Sequence, residues 1–158
     1  MLGLAAILLV GGVATPSVAD VRETESSIAG DAVSAADGAR VGQVVVHKRG
    51  DGTKPPAELG DPSEWGEAVL TFAPSKAFSS MSEACVPASG GNWCYGNYLT
   101  STGKRCYSNY YHYEKTHKSS VQLGNLSHDS GWVGPNGYSN SSLISGAAFT
   151  CKTYYSIQ

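Results

Sequence analysis

The stretch Cys106-Tyr-Ser-Asn-Tyr-Tyr-His-Tyr-Glu-Lys-Thr-His117 packs four tyrosines, two histidines and a cysteine into twelve residues. Aromatic residues at this density favour a pleated strand over a helix surface, so residues 105–113 are expected to be extended. Side chains then alternate between two faces. Cys106, Ser108, Tyr110 and His112 share one face, and Tyr107, Asn109, Tyr111 and Tyr113 share the other. The last expected strand, residues 147–156, bears on which face is inside. There Ala147, Phe149, Cys151, Thr153 and Tyr155 lie together while Lys152 is turned to water, so Cys151 points inward. If Cys106 is its partner, the Cys106 face is interior. Tyr107, Tyr111 and Tyr113 are left as an outer stripe that is either covered or exposed and sticky.

Working outward, the chain from residue 91 is dense in Tyr, Ser, Thr, Asn and Gly and poor in helix formers. Further strands are expected at 93–99, 118–123 and 131–133, separated by turns at 101–103, 114–117, 124–130 and 134–142. Short strands at this spacing indicate an all-β fold, a small antiparallel β-sandwich of two short sheets in the C-terminal half, residues 90–158.

The N-terminal half is different. Residues 2–10 are an almost unbroken apolar run, and Ser17-Val18-Ala19 places small residues where signal peptidase reads, so residues 1–19 are expected to be a signal peptide directing secretion. The run falls short of the roughly 20 residues that span a bilayer. No Lys or Arg precedes Arg22, whereas a signal opens on positive charge, which points to a start upstream of Met1. Residues 20–40, rich in Ala, Ser, Gly and acid, read as a disordered or pro-segment. Residues 41–73 hold two strand-like runs, Val44-Val45-Val46 and Ala68-Val69-Leu70-Thr71-Phe72, around a connection interrupted by Gly50, Gly52, Pro55, Pro56, Gly60 and Pro62. They read as a β-hairpin extension that must dock on the C-terminal half to persist, because an isolated hairpin is barely stable. Residues 74–89 read as a linker, or a short helix.

The near-neutral total charge hides an asymmetry. Residues 20–90 carry six Lys and Arg against eleven Asp and Glu, whereas residues 91–158 carry five basic residues against Glu114 and Asp129. The C-terminal half therefore suits an anionic partner, although its charge is far below that of a nucleic-acid binder. The four cysteines, Cys85, Cys94, Cys106 and Cys151, follow the expected cleavage site. In an exported chain an even number indicates disulfides, with three connectivities open. No Cys-x-x-Cys unit suggests zinc. No Gly-x-Ser-x-Gly frames a nucleophile, and His112, His117 and His128 lack a known chelating spacing. No catalytic residue, metal or cofactor is expected.

Several blocks in order resemble the lactococcin 972-type bacteriocins: Gly90-Gly91-Asn92-Trp93-Cys94-Tyr95-Gly96, then Tyr107-Ser-Asn-Tyr-Tyr-His112, Lys115-Thr-His117-Lys-Ser-Ser-Val121, Ser130-Gly-Trp132-Val133, Ser139-Asn-Ser-Ser142 and Tyr154-Tyr155. The resemblance covers about residues 90–155. It implies a secreted antibacterial protein with a sandwich of two small antiparallel sheets. It also implies action on septum formation through the cell-wall precursor lipid II, with no pore. Residues 20–88 lie outside it, as a pro-segment, a delivery element or a second docking layer.

The expected ligand contacts are Trp93, Tyr107, Tyr111, Tyr113, Lys115, His117, Lys118 and Trp132. Lys115, His117 and Lys118 suit a pyrophosphate as charge-assisted donors, and the rings suit a sugar face. Against this, Trp93 and Trp132 can equally be packing residues and the tyrosines cross-strand pairs. The alternative function is a cell-wall or glycan-binding module without killing activity. Either reading leaves room for a dedicated immunity or export partner.

Overall fold

The computed structural model describes residues 43–71 and 82–158. The expectations for residues 1–40, the signal peptide and the pro-segment, lie outside the described residues. Among those described, the regular elements are nine strands and one 3-10 turn: β1 (Val44–Lys48), the 3-10 turn Ala57–Leu59, β2 (Glu64–Leu70), β3 (Ser82–Ala88), β4 (Gly91–Thr100), β5 (Gly103–His112), β6 (His117–Leu123), β7 (Leu126–Asp129), β8 (Gly137–Ser145) and β9 (Cys151–Ile157). They form two antiparallel sheets, a five-stranded one in the order β1-β2-β9-β6-β7 and a four-stranded one in the order β3-β4-β5-β8. The all-β sandwich expectation holds, but residues before 90 complete both sheets.

The core between the sheets is built from rings. Trp93, Tyr95, Tyr110 and Tyr155 are buried there with Ala68, Leu70, Ala84, Ala88, Val121, Leu123 and Ile157. Tyr110 packs at 4.6 Å from Tyr155, and Trp93 lies 4.1 Å from Tyr95, ring centre to ring centre. Their polar ends are tied to backbone or to small hydroxyls. The Trp93 Nε1–H donates to Ser108 Oγ at 2.9 Å, Ser108 Oγ donates to the Tyr154 carbonyl at 2.7 Å, and the Tyr110 hydroxyl donates to the Ala88 carbonyl at 2.9 Å. Beside these rings, paired with them in register, are buried serines. Ser119 Oγ lies 2.9 Å from Ser139 Oγ, and Ser139 Oγ donates to the Tyr110 carbonyl at 3.1 Å. Across the layers ring meets ring, Tyr110 and Trp93 on Tyr155, and serine meets serine, Ser119 on Ser139.

The expected strand alternation in β5 is borne out: Cys106, Ser108, Tyr110 and His112 are buried, whereas Tyr107, Asn109 and Tyr111 are half-exposed on the outer side. Of the three open disulfide connectivities the fold has Cys85–Cys94 and Cys106–Cys151. The second joins β5 to β9 and so ties one sheet to the other. The first staples β3 to β4 within one sheet, between directly paired residues.

Four expectations are corrected. Residues 82–88, read as the end of a linker or a helix, form β3. Its Ala84 and Ala88 face the core while Glu83, Cys85 and Pro87 face out. Residues 137–142, read as part of a turn, open the nine-residue strand β8, whose inward side carries Ser139, Ser141 and Leu143. Residues 131–133 contribute only a bridge between Val133 and His117, and the expected strand there is displaced to β7. Finally, β9 begins at Cys151, so Ala147 and Phe149 do not share its inner face; Phe149 is 48% exposed.

The β1–β2 hairpin docks as expected, through β2 on the edge of β9. Gly66 makes that docking specific: a β-carbon there would sit 2.0 Å from Tyr155 Cε1, so the ring occupies the space glycine leaves. The connection between β1 and β2 closes on itself, with the Arg49 guanidinium donating to the Asp61 carbonyl at 2.7 Å and the Pro62 carbonyl at 3.2 Å. It lies over the outer face of the five-stranded sheet. There Leu59, fully buried, packs with Trp65 and Tyr154, and the Lys118 ammonium donates to the Glu58 carbonyl.

Candidate functional site

The strand registers place the outer side chains of the four-stranded sheet in rows. Asn92 on β4 pairs with Tyr111 on β5, which pairs with Tyr138 on β8; in the next row Cys94 pairs with Asn109, and Asn109 with Asn140. Beyond these come Gly96, Tyr107 and Ser142, then Tyr98, Arg105 and Ile144. The first two rows carry no charge. The third has Glu83 at its β3 end and the fourth has Arg105, whose guanidinium donates to Ser142 Oγ at 2.9 Å.

At the uncharged end the rings gather. Tyr111 lies 4.9 Å from Tyr113 and 4.8 Å from Tyr138 between ring centres. Tyr113 and Tyr138 are 51% and 68% exposed, so the cluster faces solvent. Asn92 Nδ2 donates to the Tyr113 hydroxyl and the Tyr111 hydroxyl donates to Asn136 Oδ1, both at 3.4 Å. Tyr107, on the same strand, is not equivalent. Burial, together with the neighbouring Glu83, raises its phenol well above the ordinary tyrosine range, and it packs against Tyr98 at 6.2 Å.

The eight expected contact residues therefore do not form one site. Trp93 is fully buried between the sheets, hydrogen-bonded to Ser108, and acts as a packing residue. His117 is fully buried too, with Nδ1 2.9 Å from the Lys115 carbonyl and Nε2 3.1 Å from the Gly137 carbonyl. Its inward direction follows from its register on β6, one side chain out of phase with Lys118. Lys118 is 6% exposed beneath the β1–β2 connection, with its ammonium 3.9 Å from Asp129 Oδ1 and 5.0 Å from the centre of the Trp132 ring. Trp132 is thus 38% exposed on the side of the five-stranded sheet, away from the tyrosines. Lys115 alone of the three expected cations is exposed. Tyr107, Tyr111 and Tyr113 share a sheet face as expected.

His112 and His117 are engaged by backbone, and His128 by a serine hydroxyl. His112 Nδ1 accepts the backbone N–H of Glu114 and of Lys115, each at 3.0 Å, which leaves Nε2 to donate to the Ser89 carbonyl at 2.9 Å. His128 Nδ1 lies 2.9 Å from Ser141 Oγ. Glu83, Cys85 and Cys94 come close enough to suggest a metal group, but the two sulfurs are bonded to each other and are not thiolate ligands.

Sequence reasoning missed Tyr138, Asn92, Asn109 and Asn140. The signal for Tyr138 and Asn140 was present as a period of two in Gly137-Tyr-Ser-Asn-Ser-Ser-Leu-Ile-Ser145, hidden because the inward members beside them, Ser139 and Ser141, are small and polar.

The fold and the placement of these residues can now be set beside known proteins. No curated protein and no solved structure matches the chain. A family model does match, described as Bacteriocin (Lactococcin_972), over residues 89–155. The matched segment opens at the Ser89-Gly90 turn, where φ is positive at both residues as a tight hairpin turn between β3 and β4 requires, and it ends within β9. This segment, which holds β4 to β8 and most of β9, is similar to the lactococcin 972-type bacteriocin family.

Proposed function

We propose that the protein is a secreted antibacterial protein that acts, without catalysis, on the envelope of related bacteria. Its target is the cell-wall precursor lipid II, and the step it blocks is septum formation. The observation that carries this reading is the family match over residues 89–155. Two disulfides support export to an oxidising compartment. An exported chain of this kind would use the apolar segment before residue 20 as its signal. The exposed tyrosines on the four-stranded sheet and the exposed Lys115 are the surface groups available to a sugar and to a phosphate.

The test has two arms. Purified, disulfide-intact protein added to growing Gram-positive cells should inhibit growth with septa missing or misplaced, and it should bind vesicles containing lipid II. Absence of binding to lipid II vesicles removes the target. Binding unchanged by Lys115→Ala removes that lysine from the contact. The tyrosine and asparagine surface also supports a second reading, a wall-binding module without killing activity; binding to cells with no inhibition would favour it.

A further inference from the structure

We propose that the uncharged half of the four-stranded sheet's outer face is a binding platform for a neutral glycan strand, laid across Asn92, Asn109, Asn140, Tyr111, Tyr113 and Tyr138. Three observations converge on this chemistry. First, the two rows at this end contain amides and phenols and no ionised group, while Glu83 and Arg105 are confined to the rows beyond. The adjoining turn adds exposed Glu114 and Lys115, one charge of each sign. A ligand whose recognised part is anionic would find no cation on these rows, and an uncharged one meets no desolvated charge.

Second, the side-chain types match a sugar. The C–H faces of a pyranose pack on exposed aromatic rings, and Tyr113 and Tyr138 present such rings on either side of Tyr111. Each asparagine offers both an acceptor and two donors, the pairing that hydroxyl and acetamido groups require. Third, the platform is pre-ordered. Asn92 and Tyr111 lie on strands paired on both sides, and the Cys85–Cys94 bridge crosses the same face beside Asn109. Little ordering is then left to oppose binding.

The identification of the natural glycan as the saccharide part of lipid II rests on the function proposed above; the platform itself does not. The probes are chitotetraose, an uncharged oligomer of N-acetylglucosamine, and vesicles carrying either lipid II or undecaprenyl pyrophosphate. The intact protein should bind chitotetraose saturably, and prefer lipid II vesicles to undecaprenyl pyrophosphate vesicles. The double variant Tyr138→Ala with Asn140→Ala alters only exposed side chains and should keep its denaturation midpoint while losing about tenfold in affinity. Trp132→Ala, on the opposite side of the molecule, should leave binding unchanged.

Lack of saturable chitotetraose binding overturns the platform, as does binding that the double variant leaves intact or that Trp132→Ala weakens equally. If the protein ignores both vesicles yet takes chitotetraose through this face, the lipid II reading fails and the platform stands. If both vesicles bind equally and chitotetraose does not, the platform fails and recognition of an anionic precursor stands.

Discussion

The two outer faces of the sandwich have opposite fates. That of the five-stranded sheet is roofed by the connection between β1 and β2, which buries Leu59 against Trp65 and Tyr154 and closes over Lys118. That of the four-stranded sheet keeps Tyr113 and Tyr138 in solvent, with no described element laid over them. Both faces hold aromatic residues, so composition does not separate them. The difference lies in which edge takes the N-terminal hairpin: β2 adds to β9, and its connection folds back over the sheet it has joined. One face has become structural and the other, among the described residues, stays open to solvent. The lysine and tryptophan that a sequence reading assigns to a ligand fall on the structural side.

The broadest way to break the comparison is to let the sheets part. Replacing Cys106 and Cys151 together by alanine removes the bridge between them, and with a separation of 45 residues the loss in unfolding free energy should be about 4 kcal/mol, read by urea denaturation. A loss near zero would mean that the ring core alone fixes the sheets' relation. More local is Leu59→Ala, which opens the roof and should cost about 3 kcal/mol. It should also raise the accessibility of Lys118 to amine-reactive reagents; a variant as stable as the parent would show that the roof contributes no packing.

A third test uses the interior tyrosines. Burial pushes the phenols of Tyr95 and Tyr155 up from the ordinary tyrosine value to about 12. The unfolded chain ionises first, so this contribution to stability is complete below about pH 10 and is lost as pH rises toward 12. Denaturation midpoints should accordingly fall steeply between those values, together with delayed phenolate absorbance. Flat stability across that window would contradict the packing of both rings. The smallest expected effect sharpens the contrast from the other side: Tyr138→Ala should change stability by less than about 0.5 kcal/mol, because an exposed ring on an open face supports little else. A loss comparable to that of Leu59→Ala would show that the tyrosine face is structural as well.

Much of this architecture was legible where a strand carries its own alternation. In β5 alternation separates Cys106, Ser108, Tyr110 and His112 from the outer tyrosines, and in β9 it places Cys151, Thr153 and Tyr155 together. It was not legible in β8. There the inward residues Ser139 and Ser141 are small and polar, and they meet Ser119 and His128 of the other sheet through hydrogen bonds. In β3, Ala84 and Ala88 point inward without any bulky residue to signal it. A third of the candidate site, Tyr138 and Asn140, was hidden for the same reason.

From the sequence alone follow an all-β C-terminal half, the division of β5 into a Cys106–Tyr110 face and a Tyr107–Tyr111 face, and a resemblance to bacteriocins over residues 90–155, because period-two alternation and ordered blocks are properties of neighbours along the chain. Only the tertiary structure decided which aromatic and basic residues share a surface. His117 and Lys118 are adjacent in sequence yet occupy opposite sides of β6, one in the core and one under the β1–β2 connection. Tyr111 and Tyr138 are distant in sequence yet stand side by side through the pairing of β5 with β8. Strand register sets such meetings, and register is fixed by the packing of the whole sandwich.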